Sequence, residues 1–262
     1  MGKKTAGWLI TAALLIVIGA GLFLVAMMAH RWNFSKLRTS EHEVRTYEMT
    51  DTFHRISIDT DTADISILPS ADGVCRVVCK EETNVLHSVS IQDETLTIQL
   101  ADTREWHEKI GIIHEEPEIT VYLPDREYES LSIQEHTGDL EIERLQADTI
   151  RISVTTGDTE LNNCRCSTLI SEGNTGEIEL ENTIAQELLS IARTTGDVTF
   201  ECCDAGEIIV TTDTGDVTGS FLTGKVFRTQ SSTGRVDVPK TADGGTCSIT
   251  TTTGDIRLKV LP

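Results

Sequence analysis

Between residues 131 and 258 apolar and polar residues alternate in two short runs per repeat, the period of a strand with one buried face. The runs meet at a tetrapeptide that occurs seven times: His136-Thr-Gly-Asp139, Thr155-Thr-Gly-Asp158, Asn174-Thr-Gly-Glu177, Thr194-Thr-Gly-Asp197, Asp213-Thr-Gly-Asp216, Ser232-Thr-Gly-Arg235 and Thr252-Thr-Gly-Asp255. Its glycines, at 138, 157, 176, 196, 215, 234 and 254, stand 19 or 20 residues apart. Two positions after the glycine come Leu140, Thr159, Ile178, Val198, Val217, Val236 and Ile256, and seven before it come Leu131, Ile150, Leu169, Leu189, Ile208, Phe227 and Cys247. Each repeat therefore reads as one coil of two short strands joined at a glycine corner. One coil cannot bury its inner face alone. Coils stacked about 4.8 Å apart bury a continuous core and pair their backbones, and seven would extend roughly 34 Å.

The corner residues have separate roles. Glycine permits a positive φ, threonine favours strand geometry and can form a hydroxyl ladder, and the acid after glycine can cap N–H groups of its own turn. Like charges about 4.8 Å apart cost on the order of 1 kcal/mol per neighbouring pair in water, less with salt. Arg235, between Asp216 and Asp255 in the sequence, is expected to interrupt that column. Glu135 and Arg193, three residues before their glycines, break the alternation, and a bulge or outward twist is expected to keep both from being buried.

Ahead of the repeats, Ile56-Ser-Ile58 and Thr62-Ala-Asp64-Ile-Ser-Ile67 look like an eighth, divergent coil with alanine in the glycine position. Residues 74–79, 89–91, 95–100 and 118–123 read as strands, the last ended by Pro124. Solenoid ends need capping, so residues 53–130 are expected to form an N-terminal β cap continuous with the Thr-Gly-Asp solenoid of residues 131–262. Residues 102–116, with Trp106, form the most irregular loop and the expected variable surface.

A short tail, residues 1–7, precedes 22 uncharged residues, 8–29. At about 1.5 Å per residue that run can cross a bilayer core of about 30 Å, so one transmembrane helix is expected. It exceeds the usual signal-peptide core of about 7 to 15 residues, and Met27-Met28-Ala29 is a poor cleavage site. Residues 30–52 are polar and mixed and read as a stalk. Arg31, Lys36, Arg38 and Arg45 follow the span while only Lys3 and Lys4 precede it, which by charge counting places the large domain inside. Long domains translocate largely regardless of such charges, and an anchored acidic β repeat suits export. The expected location is the cell membrane, single-pass, with the β domain extracytoplasmic.

Charge narrows the partners. Five of the 22 basic residues and none of the 42 acids lie in residues 1–40, leaving 17 against 42, a net −25, beyond them. Such a surface repels phosphate backbones, so nucleic acid is excluded as a partner. The seven cysteines (75, 79, 164, 166, 202, 203 and 247) contain no CxxC pair and read as small buried residues rather than a disulfide framework or zinc site. Cys164 and Cys203 are two coil steps apart, about 9.6 Å, beyond the usual disulfide reach of about 7 Å. His107-Glu108 and His114-Glu115-Glu116 lack metal-binding spacing and read as a solvated loop. The acidic column reads as turn chemistry rather than a calcium ladder. No GxSxG, P-loop or post-strand GxGxxG is present, and the acids gather on no single coil beside an aromatic sugar platform, as a polysaccharide-active β-helix enzyme would need. No catalytic, cofactor-binding or metal residue and no cofactor is assigned.

Ile119-Thr-Val-Tyr-Leu-Pro124, Leu131-Ser-Ile133 and Thr137-Gly-Asp139-Leu-Glu-Ile142 resemble the bacterial putative-adhesin domain of unknown function, the family of LiaG-like and YvlB-like envelope proteins, over roughly residues 50–260. The resemblance implies a β-solenoid behind a membrane helix in the cell envelope and brings no catalytic residues with it. The expected protein is all-β: one transmembrane helix, a β cap and a parallel β-solenoid of about seven to eight coils. Its expected role is non-enzymatic, as an adhesin-like or scaffold surface for a protein or envelope glycan. The alternative is an accessory sensor of envelope stress acting with a partner membrane protein.

Overall fold

In the computed structural model the described residues are 3–29, 42–82, 85–102 and 117–262. Residues 42–104 and 116–262 belong to one compact unit and the N-terminal helix to another. That helix, α1, runs Lys3–Ala29. The apolar run of residues 8–29 lies only partly among the described side chains, and among the described residues no helix is long and apolar enough to cross a membrane. Residues 103–116, nearly all of the expected variable loop, and most of the expected stalk lie outside the described residues.

The β unit begins inside the expected stalk, with β1 (His42–Met49). The cap continues with β2 (Arg55–Thr62), β3 (Asp64–Pro69), β4 (Cys75–Glu82), β5 (Val85–Gln92), β6 (Thr95–Asp102) and β7 (Glu118–Leu123), which ends before Pro124. Then come β8 (Glu127–Thr137), β9 (Leu140–Glu143), β10 (Gln146–Thr156), β11 (Thr159–Asn162), β12 (Arg165–Thr175), β13 (Ile178–Glu181), β14 (Ile184–Thr195) and the long β15 (Val198–Thr214). The chain closes with β16 (Val217–Phe221), β17 (Lys225–Thr233), β18 (Val236–Asp237), β19 (Gly245–Thr253) and β20 (Ile256–Val260). Strands that enter a glycine corner form one parallel face, those that leave it form the other, and β15 bends from the second to the first. The alternating apolar residues point between the faces: Leu131, Ile150, Leu169, Leu189 and Ile208 are fully buried, opposite Ile142, Leu161, Leu180 and Phe200.

In the middle, the coils stack in chain order, with Thr137, Thr156, Thr175, Thr195 and Thr214 in register. The expectation of sequential stacking fails at both ends. Beside Thr214 stands Thr253, and Thr233 lies beyond it, so the last coil, β19–β20, is inserted between β15–β16 and β17–β18. At the other end the divergent coil β2–β3 lies between β6–β7 and β8–β9. Antiparallel strands close that end: β4 then β1 beyond β7, and β5 beyond β6.

The corners explain the motif more sharply than a turn rule does. Gly196 has φ 147°, a region closed to other residues, and a Cβ there would stand 2.0 Å from the Gly176 carbonyl oxygen. Glycine is thus required as much by the close approach of the next coil as by the bend. The threonines line up but are exposed, and the bond that joins them is backbone: the Gly157 N–H donates to Thr175 O at 3.0 Å, and the Gly215 N–H to Thr253 O at 2.9 Å.

The acid caps the neighbouring coil rather than its own turn. Oδ1 of Asp139 accepts the Asp158 N–H at 2.8 Å, and Oδ1 of Asp158 accepts the Glu177 N–H at 2.7 Å. The same bond links Asp197 to Asp216, Asp216 to Asp255, and Asp255 to Arg235. Arg235 therefore does not interrupt the column as expected; Asp216 and Asp255 are direct neighbours, and Arg235 ends it. An acid at that last level would find no further N–H to cap. The Arg235 N–H and the Arg257 guanidinium hold the Asp255 carboxyl below its ordinary value.

Glu135 and Arg193 do not turn outward either. They are 3% and 4% exposed. Arg193 is accommodated because three departures from the apolar pattern converge on it. Its Nη2 donates to Ser171 Oγ at 3.0 Å and Thr159 Oγ1 at 3.4 Å, and Nη1 to Ala192 O at 3.1 Å. A Cβ on Gly173 would lie 2.9 Å from Nη1. Desolvation lowers the guanidinium pKa to about 10, which leaves it charged at neutral pH.

Candidate functional site

Two polar constellations depart from the repeat, one sealed in the cap and one open on the surface. In the cap, Glu81 at the end of β4, His87 on β5 and Thr60 on β2 form a chain. His87 Nδ1 lies 2.8 Å from Glu81 Oε2, and His87 Nε2 lies 2.8 Å from Thr60 Oγ1. The His87 backbone N–H also donates to Glu81 Oε2 at 2.7 Å, which fixes the imidazole plane. Hydroxyl, imidazole and carboxylate in that order are the parts of a nucleophile–base relay. Here they are 3%, 2% and 0% exposed, among the described residues sealed from solvent. A nucleophile must touch its substrate; sealed in this way, the chain ties β4 and β5 to the inserted coil.

Glu135, next to Thr60 in register, adds a second buried carboxyl. Its Oε1 accepts the Ala63 N–H at 3.1 Å, and among the described residues its Oε2 has no partner. Burial pushes its pKa up to about 8, with Asp64 and Asp61 adding repulsion against the Ala63 bond. The repeat pattern flags Glu135, but nothing local in the sequence flags Glu81 or His87. Their meeting depends on β4 and β5 turning back and on Thr60 arriving from another coil.

The open constellation lies at a second corner that sequence reasoning passed over. Six residues after their glycines, Arg144, Asn163, Asn182 and Cys202 all adopt left-handed φ values of 53°, 56°, 48° and 53°. Asparagine tolerates that region, so Asn163 and Asn182 at one offset were the available signal. With Gln146, Arg165 and Asp125, and the start of the turn after β3, this corner lines a groove of about 860 Å³. Arg144 makes one long contact, 3.5 Å from its Nε to Glu143 Oε1, and among the described residues Arg165 has no ion pair.

The cysteines are unbridged, and all except Cys202 are buried. Cys164, Thr183 and Cys203 occupy one inward position in successive coils and each donates to a carbonyl of the coil before, Ile142 O, Leu161 O and Leu180 O. A small donor, thiol or hydroxyl, meets the requirement. Burial raises Cys164 and Cys203 to about 11 and Cys166 and Cys247 to about 12, so these thiols stay protonated and unreactive. Among the described residues no three His, Cys, Asp or Glu groups are placed to hold a metal ion; the His/Glu clusters at 107–108 and 114–116 lie outside them.

No curated protein matches the chain. Among solved structures, a putative adhesin from Bacteroides fragilis NCTC 9343 matches with TM-score 0.53 and 15% identity, over 84% of this chain and 97% of that one. A putative cell adhesion protein from Clostridium sporogenes ATCC 15579 matches with TM-score 0.41 and 10% identity, over 85% and 100%. A putative lipid binding protein from Parabacteroides distasonis ATCC 8503 matches with TM-score 0.46 and 12% identity, over 84% and 97%. The first of these shares the fold, and the family model described as Toastrack DUF4097 matches residues 53–261, nearly the whole β unit, so the chain belongs to the Toastrack DUF4097 family.

Proposed function

We propose that this protein is a membrane-anchored, non-enzymatic component of a bacterial cell envelope whose solenoid presents an adhesin-like binding surface outside the cell. The observation that carries the reading is a contrast: the hydroxyl–imidazole–carboxylate chain is sealed in the core, whereas the open groove is lined by hydrogen-bonding groups on a rigid backbone. The Bacteroides fragilis structure that shares the fold is described as a putative adhesin, in keeping with this reading. The anchor rests on the uncharged residues 8–29, within a helix of 27 residues. The support is that of the sequence: at about 1.5 Å per residue, 22 uncharged residues in helical form would match a bilayer core of about 30 Å.

The test is protease accessibility on intact cells, with extraction of the membrane fraction by carbonate. The expected outcome is a protein retained in membranes and cleaved from outside. A protein released by carbonate, or protected until the cells are broken, contradicts the reading. Recovery from native membranes with a partner that carries a cytoplasmic regulatory domain would favour the sensor role instead.

A further inference from the structure

Resting on that reading, we propose that the second-corner groove is the ligand site and that it takes a polyhydroxylated chain bearing an oxyanion, as in an acidic envelope polysaccharide. The groove offers a matched set of groups. Arg144 and Arg165 present planar guanidinium forks, which bind carboxylate or phosphate oxygens through two parallel bonds. Asn163, Asn182 and Gln146 offer both donors and acceptors, as sugar hydroxyls require, and Asp125 adds an acceptor.

The arrangement is rigid. Arg144, Asn163 and Asn182 stand in successive coils, their backbones joined by the Arg144 N–H to Asn162 O bond at 2.8 Å and the Asn163 N–H to Glu181 O bond at 2.9 Å. Donors therefore recur at the coil step of about 4.8 Å along the groove, which suits an extended chain rather than a compact molecule. Turn chemistry accounts for asparagine at a left-handed φ, but not for arginine. At φ 53° Arg144 occupies a conformation that asparagine or glycine would adopt at lower cost. Bases are scarce on this chain, where the residues beyond position 40 carry 17 against 42 acids, and the groove gathers two of them. Salt at about 0.15 M screens the general negative field beyond about 8 Å, so contact groups decide the binding.

The experiment uses the full chain in detergent micelles at 0.15 M salt. Calorimetry measures binding of a galacturonate oligomer, a glycerol-phosphate oligomer and, as a neutral control, a galactose oligomer. The expected result is binding of at least one charged oligomer and a clear preference over the neutral one. Arg165→Ala should weaken it about tenfold or more, and Arg165→Lys should weaken it less, because the charge remains but the fork is lost. Asp237→Asn, exposed on β18 at the far end of the stack, should leave affinity unchanged. Both arginine variants alter an exposed side chain, and an unchanged melting temperature confirms that they fold. The preferred charged oligomer distinguishes a carboxylate from a phosphate ligand. No binding of either, or binding untouched by Arg165→Ala, overturns the proposal. Binding of isolated envelope material separates the two readings: retention of that binding by Arg165→Ala rejects the groove and keeps the surface function, and its absence in the wild type rejects both.

Discussion

From β8–β9 to β15–β16 each coil is covered by the coil the chain makes next; at the C-terminal end the chain passes over one level and later returns to fill it, and at the N-terminal end it leaves the inner level β2–β3, builds β6–β7 outside it and then crosses back over it to β8–β9. The middle coils carry the regular residues, with Ile or Leu facing inward and an acid after each glycine. The outermost levels are filled by irregular segments. At the C-terminal end β17–β18 has Thr229 where the inner coils, Ser171 apart, place Ile or Val, and Arg235 where they place an acid, and Val236 is 44% exposed. At the other end antiparallel strands cover the stack. Repeat arrays are held by nearest-neighbour contacts and are prone to fray from their ends. Here both the divergent first coil and the last coil of the chain have neighbours on two sides. The difference teaches that the two ends solve the capping problem by topology, placing polar or antiparallel segments outermost and locking the terminal coils inside.

The largest expected effect follows from that interleaving. A chain ending after Lys240 removes β19–β20, and with them the coil whose strands pair with β17–β18. Hydrogen exchange of the shortened chain should show protection lost from residues 225–237, whereas stacking in chain order would leave them protected. Next in size, Gly196→Val in the middle should cost roughly 3 kcal/mol or more in urea unfolding, because the new side chain meets a backbone oxygen at a strained φ. Gly234→Val faces the same 2.0 Å approach, to Gly254 O, but on an outermost coil that can shift, and should cost less. Equal losses would mean that the end is as rigid as the middle.

The inserted N-terminal coil should reveal itself through pH. Burial raises the Glu135 pKa from 4.5 to about 8, so the folded state holds a proton that the unfolded chain has released. That contribution is fully present below pH 4.5 and is lost as pH rises through about 8, by at most about 1.4 kcal/mol per unit. Glu135→Gln should flatten the stability profile across this window. The smallest effects belong to the acidic column. Asp158→Ala removes an inter-coil cap and should lower the melting midpoint by about 2–4 °C, as loss of a cap does. Arg235→Asp, at the end with no N–H beyond it, should gain nothing.

What the sequence revealed divides along the same line. Period, strand pairs, glycine corners and inward columns were all legible, because each coil repeats the same local requirement. The order of coils was not, since the glycine intervals across the C-terminal crossing, 19 and 20 residues, equal those in the middle. Near-identical coils offer the same register to any neighbour, and the choice lies in end capping. The buried setting of Arg193 was encoded, although dispersed: Thr159, Ser171 and Gly173 each weaken the apolar pattern and have a common reason only once three coils are superposed. Of the groove, Asn163 and Asn182 shared a readable offset, while Asp125 and the turn after β3 join it through the cap. The Glu81–His87–Thr60 chain had no sequence signal, because its members come from three strands that the divergent cap brings together.

The most direct test of the interleaved ends is oxidative cross-linking of exposed corner threonines. In the structure Thr214 is in register with Thr253, one coil step away, and Thr233 lies one step further. One step, about 4.8 Å, falls within disulfide reach, and two steps, about 9.6 Å, do not. The account predicts that Thr214→Cys with Thr253→Cys forms an intramolecular disulfide in the folded protein and that Thr214→Cys with Thr233→Cys does not. Rapid bridging of the second pair and none of the first would show the coils stacked in chain order and contradict it.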